Sequence, residues 1–372
     1  MRQADEPGII NLAAGVPGPD ALPADSLSQA FGRALHSDGA ALFAYHHPEG
    51  DHFLRQHLAD RLHSRGVSPL TPSQIVTTTG CTQALNILLS LLVEPGSVVA
   101  CEAPAYYGML EILSTLRARV LPLPVGPEGW NLETTEALFR EHQPACLVLC
   151  PTLSNPSGLT LPESQRAPLV DLCRKLGIRI VEDDIYGELA DSGAPRPLLH
   201  CDPSGEVVSF VSSFSKTVSP GIRVGYCVPG TLHEAFAARK CQQDLHSCVV
   251  SEAILREFLA ANALEPHLQW LRLRNRRRRQ LAVAALRSTF PENTTFIEPE
   301  GGYMLWMNLP PQTDLLSLRE RARAEGVVFA SGNAFFTATP DSPSIRLNCA
   351  KASETELVRG IEILGRLLCS HR

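Results

Sequence analysis

The chain has 372 residues, 44% hydrophobic and 19% charged, with a formal net charge of −6. That describes a globule too long for one compact layer, with no general attraction to nucleic acid or to an anionic membrane surface. Eleven cysteines without a C-x-x-C pair indicate no metal site, and the longest apolar runs are too short to cross a bilayer.

In chain order, the first informative segment runs from Gln74 to Leu85, a β-branched strand, a glycine and an amphipathic helix. Exposed N–H groups and the positive end of a helix dipole make such a junction an anion cradle, although strand-turn-helix units without a ligand share the pattern. Gly80 permits close backbone approach, and Cys81 and Thr82 are the donors. A buried strand from Ala145 to Thr152 then leads into Leu153–Gly158, which holds Asn155 at a strand end, in what is otherwise a plain Asn-Pro turn. Next, the apolar strand Ile178–Val181 ends in Glu182-Asp183-Asp184, placing Asp183 at the carboxyl edge of a sheet, where α/β proteins bind ligands. An ordinary helix N-cap would also explain these acids. Tyr186 follows three residues after Asp183.

Two further strand-like runs, Glu206–Val211 and Arg223–Val228, flank Ser213-Phe214-Ser215-Lys216-Thr217. Lys216 therefore sits on a turn between core strands, among hydroxyl groups and close to Arg223. Alone, the tetrapeptide Ser-Phe-Ser-Lys favours a surface lysine in a Ser-rich loop. A buried amine beside phosphate-binding groups suits a lysine that holds pyridoxal 5'-phosphate as a Schiff base. Asp183 is then the acid facing the ring nitrogen, Asn155 and Tyr186 reach the phenolic oxygen, and Ser213, Ser215 and Arg223 close the phosphate cradle.

The alternation of strands and helices between residues 74 and 230 predicts an α/β fold, a mainly parallel sheet with helices on both faces, followed by a long helical segment from Thr231 to Leu264. Residues 40–264 form the expected large domain, and residues 1–39 together with 265–372 a smaller α+β domain. Arg272, Arg274 and the run Arg276–Arg279 read as the solvated face of a helix, since arginines so closely spaced spread round the axis instead of forming a stripe for DNA.

Taken together, Gly80-Cys81-Thr82, Pro104-Ala105-Tyr106, Asn155-Pro156-Ser157-Gly158, Asp183-Asp184-Ile185-Tyr186, Ser213-Phe214-Ser215-Lys216 and Arg223 resemble the class I/II aminotransferases of PLP fold type I, over nearly the whole chain. The stretch Tyr45–Gly50, the Ser-Ser-Phe-Ser-Lys phrase and Gly301–Trp306 make the sequence most similar to the aminotransferase-type domain of MocR-like proteins and to aminoadipate/kynurenine aminotransferases. The resemblance implies Lys216 as Schiff-base residue and proton carrier, Tyr106 stacked on the cofactor ring, and Tyr45 reaching the phosphate of a partner subunit in a homodimer with shared sites. It also implies Arg346 as the ligand of the substrate α-carboxylate and Gly15 against the substrate, with Asn155 beside it. Cys81-Thr82 departs from the serine-glutamine pair common in these relatives, and Ser331 stands where they often have proline. Phe335 and Phe336 either line the substrate pocket or fill core, and core filling is the reading preferred.

The expected activity is amino transfer from an amino acid to a 2-oxo acid in ping-pong order. Elimination, replacement, decarboxylation or oxidation of an amino acid on the same cofactor stays open, as does the ligand-sensing role of a MocR-like regulator. With an odd cysteine total and no signal-like N-terminus, a reduced cytoplasmic setting is expected.

Overall fold

The computed structural model describes residues 6–370, whose strands fall into three sheets. Strand β1 (Ile10–Asn11) precedes a seven-stranded sheet of β2 (Val76–Thr78), β3 (Val98–Ala103), β4 (Arg119–Pro124), β5 (Cys146–Leu149), β6 (Arg179–Asp183), β7 (Val208–Ser213) and β8 (Gly225–Val228). Their spatial order is β2-β8-β7-β6-β5-β3-β4, and β8 alone runs against the rest. The parallel β3, β5, β6 and β7 are buried along most of their length, as expected for a sheet covered by helices on both faces.

Alternation along these strands positions the site. Val99 and Cys101, Cys146 and Val148, Val181, and Val211 point into one core cluster with the helix Cys81–Leu92, while Ala100, Leu147, Ile180 and Phe210 belong to the cluster on the opposite face. The same period puts Asp183 and Ser213, the last residues of β6 and β7, at the carboxyl edge on the face that carries the helix start.

The remaining strands are β9 (Thr295–Phe296), β10 (Met304–Asn308), β11 (Val327–Val328), β12 (Ala330–Ser331) and β13 (Ser344–Asn348). Four of them make an antiparallel sheet in the order β12-β13-β10-β9, and β1 pairs with β11. Ile10 and Leu12 share a core with the helices Leu264–Thr289, Leu315–Ala324 and Glu354–Cys369. The helix Ala24–Asp38 lies instead against Val249–Ala260, where Ala34 packs on Ala253.

Two sequence expectations need correction. The segment from Thr231 to Leu264 is not one helix: His233–Asp244 and Val249–Ala260 are separated at Leu245, whose φ is +60°. Gln83 Nε2 and Lys240 Nζ donate to the Asp244 carboxylate at 2.8 and 3.1 Å, tying the end of the first helix to the helix Cys81–Leu92 at the break. The arginine run is a solvated face only in part, with Arg276 and Arg277 exposed. Arg278 and Arg279 are 5% and 6% exposed, Arg274 and Arg278 pair with Asp20, and Arg276 and Arg279 pair with Asp191. Four closely spaced arginines do spread round the axis, but one side of this helix is covered by neighbours whose carboxylates meet the arginines there.

Candidate active site

Between the sheet's carboxyl edge and the smaller sheet lies a cavity of about 430 Å³. Gly15, Cys81, Thr82, Tyr106, Asn155, Asp183, Tyr186, Ser215, Lys216, Arg223 and Arg346 all line it, segments spread over more than 300 residues of sequence. A second cavity, about 590 Å³, lies behind Ala105 and Phe335 and has no basic side chain in its lining, so it offers nothing to hold a phosphate or carboxylate.

At one end the helix Cys81–Leu92 starts directly after Gly80, whose φ of +84° favours glycine. A Cβ on Gly80 would lie 2.7 Å from Arg223 Nη2, so the guanidinium closes onto the bare backbone. Arg223 itself has φ +58°, sparsely populated for a residue with a side chain, and donates to Thr79 O and Pro220 O at 2.9 and 3.2 Å. Ser215 lines the cavity; Ser213, buried just behind it, shares a 2.9 Å hydroxyl contact with Ser215 and donates to Val224 O. Helix N–H groups, a hydroxyl and a guanidinium converge here on one anion site.

Asp183 and Asp184 are separated by the pleat. Asp184 accepts from Arg65 Nη1 at 2.6 Å and is buried, whereas Asp183 opens onto the cavity and accepts from Cys81 Sγ at 3.2 Å. Burial pushes the Asp183 carboxyl up to about 6, against the Cys81 hydrogen bond, with Asp184 adding to the rise and the Ile185 N–H and Lys216 opposing it. Lys216 Nζ donates to Gly15 O at 2.6 Å. Its pKa is depressed to about 8, chiefly by burial and then by the Arg346 charge, which gives the amine a neutral fraction near physiological pH.

Arg346, 2% exposed in β13, donates through Nη1 to Asn155 Oδ1 at 2.7 Å and through Nη2 to Ala13 O. Its guanidinium lies 5.0 Å from the centre of the Phe335 ring, and its Nε is buried without a partner. Among the described residues neither Arg346 nor Lys216 forms an ion pair. Tyr186 is almost fully buried, its ring edge-on to Tyr303 at 6.0 Å. Tyr45 stands apart: it is 85% exposed, touches His246 edge-on and does not line this cavity.

The residues at both ends fit pyridoxal phosphate: a cradle that a Cβ would fill, an amine and an acid between its walls, and a buried guanidinium with an orphaned nitrogen. The family model for class I and II aminotransferases matches residues 7–364. This chain belongs to that family. It is 31% identical to the 2-aminoadipate transaminase of Thermus thermophilus over 99% of this chain and 92% of that one. It is equally 31% identical to YisV, an uncharacterized HTH-type transcriptional regulator of Bacillus subtilis, over 95% of this chain and 72% of the regulator. The kynurenine aminotransferase of Pyrococcus horikoshii, solved with PMP, superposes with a TM-score of 0.93 at 27% identity, covering 99% of this chain and 93% of that one. The fold is PLP fold type I, and the protein is a pyridoxal phosphate-dependent aminotransferase that moves an amino group from an amino acid to a 2-oxo acid.

Several residues of this aminotransferase escape sequence reasoning. Tyr107, Cys150 and Ala334 line the cavity; Phe335, for which the sequence offered pocket lining or core, is both, 1% exposed and part of the cavity wall. Gly108 carries no motif, yet a Cβ there would lie 2.6 Å from the Tyr106 ring, so its bareness lets that ring lie as it does. Asn348 donates to Ala14 O and Val16 O, holding the Gly15 segment over the cavity. Apart from Phe335, only Asn348 could have been suspected, from its two-residue spacing to Arg346 on one strand face.

Proposed function

We propose that Lys216 carries the cofactor, Asp183 faces its ring nitrogen, and Arg346 takes the substrate's α-carboxylate. The observation that supports this reading most strongly is that two cations, the half-buried Lys216 and the buried Arg346, converge on one cavity with neither held in an ion pair among the described residues. When bound, pyridoxal phosphate supplies an electron sink for the substrate's α-carbon. Arg346 holds a carboxylate through its planar fork and so fixes which α-carbon bond is presented. The neutral fraction of Lys216 accepts a proton there, and burial keeps water from competing.

In this reading Cys81 and Thr82 bind the phosphate through backbone N–H groups, with Ser215 and Arg223 opposite and Ser213 supporting Ser215 from behind. Tyr106 stacks on the ring. Asn155, whose Oδ1 is engaged by Arg346, has its amide nitrogen left for the phenolic oxygen, beside Tyr186. Gly15 lies against the substrate. The cations lining the cavity are then all assigned, and Val16, Leu85, Tyr107 and Phe335 supply apolar surface, which supports a donor with an apolar or aromatic side chain.

The same reading makes the protein a cytoplasmic homodimer, with Tyr45 crossing to the partner's phosphate. Thr82 and Arg223 are exposed in the single chain, and Phe43, Phe53 and Leu245 join Tyr45 as large exposed apolar groups, which supports a covering partner. It also divides the chain into residues 40–264 and residues 1–39 with 265–372. The separate core formed by Ile10, Leu12 and the C-terminal helices supports that division.

Borohydride reduction of the holoenzyme followed by peptide mapping tests the central assignment. The cofactor is expected on Lys216, and a label on another side chain overturns the reading. The likeness to the regulator supports a second reading, ligand sensing in the same cavity. Repeated turnover with an amino acid and a 2-oxo acid supports the enzyme, whereas reaction that stops after one half-cycle favours the sensor.

A further inference from the structure

Cys81 departs from the common family pattern, and its backbone and side chain point to different tasks. Its N–H belongs to the first turn of the helix Cys81–Leu92, the anion end of the cavity. Its thiol, 7% exposed, donates to Asp183 Oδ1 at 3.2 Å. The two residues are 102 positions apart, joined because Val181 and Asp183 share the strand face on which this helix packs. Asp184, the adjacent acid, is already engaged by Arg65, so Asp183 is the carboxylate available to the cavity.

We infer that the Cys81 side chain is a positioning residue for Asp183: it fixes one carboxylate oxygen, aims the other at the cofactor's ring nitrogen and keeps the acid in its charged form, leaving the phosphate to the backbone. The inference rests on the assignment of Asp183 made above. A donor bound to a carboxylate favours ionisation, and an unsupported carboxylate in a buried site takes up a proton instead. The groups facing Asp183 are Cys81, Asp184, the Ile185 N–H and Lys216, with Glu102, Cys150 and Tyr106 close enough to interact electrostatically. Of these, the thiol and the Ile185 N–H are the hydrogen-bond donors to the carboxylate, and a side-chain substitution can remove only the thiol. A thiol is a weak donor, so a hydroxyl in its place should serve at least as well.

The test uses the holoenzyme loaded with cofactor carrying a ring-nitrogen ¹⁵N label, read by NMR, which reports the protonation of that nitrogen independently of turnover. Cys81→Ala and the nearly isosteric Cys81→Val, neither of which can donate, are expected to shift the resonance toward neutral pyridine. Cys81→Ser is expected to restore the parent value. In the apo full-length chain, affinity for pyridoxal, which lacks the phosphate, should fall roughly three- to tenfold in the Ala and Val variants and recover in the Ser variant. Inorganic phosphate should bind all four proteins equally. Parent-like resonances in both donor-less variants overturn the inference, as does a loss of phosphate affinity with the resonance unmoved. Asp183→Asn separates the two levels. If it leaves the resonance unchanged, the assignment of Asp183 fails; if it moves the resonance while the Cys81 variants do not, only the role of Cys81 fails.

Discussion

Two sets of buried cations in this aminotransferase differ in what faces them. In the helix Leu264–Thr289, Arg278 and Arg279 meet the carboxylates of Asp20 and Asp191 and several backbone carbonyls. Arg346 is buried still deeper, at 2% exposure against their 5% and 6%, yet is offered only an amide oxygen, a backbone carbonyl and an aromatic face. Burying a charge without a counter-charge costs several kcal/mol, whereas a paired charge can serve as architecture. The helix arginines are therefore complete in the folded chain, whereas Arg346 keeps a charge with no counter-charge, which is what the proposed carboxylate ligand would supply.

The largest effect that would break this contrast is at Lys216. Lys216→Ala should lower amino transfer by roughly 10⁴-fold or more while the protein still melts cooperatively, measured by single-turnover absorbance and calorimetry. Residual turnover near the parent rate would remove Lys216 from the cavity's chemistry. Arg346→Ala should cost about 10²- to 10⁴-fold in kcat/KM, from the loss of two charge-assisted hydrogen bonds, and should leave stability unchanged or raised. A variant that unfolds easily but keeps its KM would place Arg346 with the architectural set.

Asp191→Asn is the converse test. It leaves Arg279 buried with its main counter-charge gone and should lower stability by about 3 kcal/mol in urea unfolding, with kcat/KM preserved. A separate test, read from the pH dependence of stability, concerns a buried acid. Glu102 accepts from the Cys150 N–H at 3.1 Å, and burial pushes its carboxyl up to about 8. The folded state then binds a proton that the unfolded state has released, so this contribution is fully present below the unfolded carboxylate value and is lost as pH rises through about 8. Urea midpoints from pH 5 to 8.5 should therefore fall with pH for the parent relative to Glu102→Gln. A constant offset between the two would show that Glu102 does not titrate in that window.

The legible part of the site lay in local chemistry. A strand ending in acids, a glycine before an amphipathic helix and a lysine between serines each announce themselves within about ten residues, because turns and strand ends are built from neighbours in sequence. Helix length and side-chain burial were less legible. The Thr231–Leu264 segment has no strong internal breaker at Leu245, and its interruption coincides with the Asp244 contacts to Gln83 and Lys240. The arginine run looked solvated because its partners, Asp20 and Asp191, stand more than 80 residues away.

By itself, the sequence determined which segments become strands and which residues stand at their ends, since side-chain period and turn chemistry are local properties. Only the tertiary structure decided that Asp184 is taken up by Arg65, that Asn155 meets Arg346 across 191 residues, and that Phe335 is wall as well as core. Those outcomes depend on which elements pack together, and that is fixed by the burial of whole faces, not by any single segment.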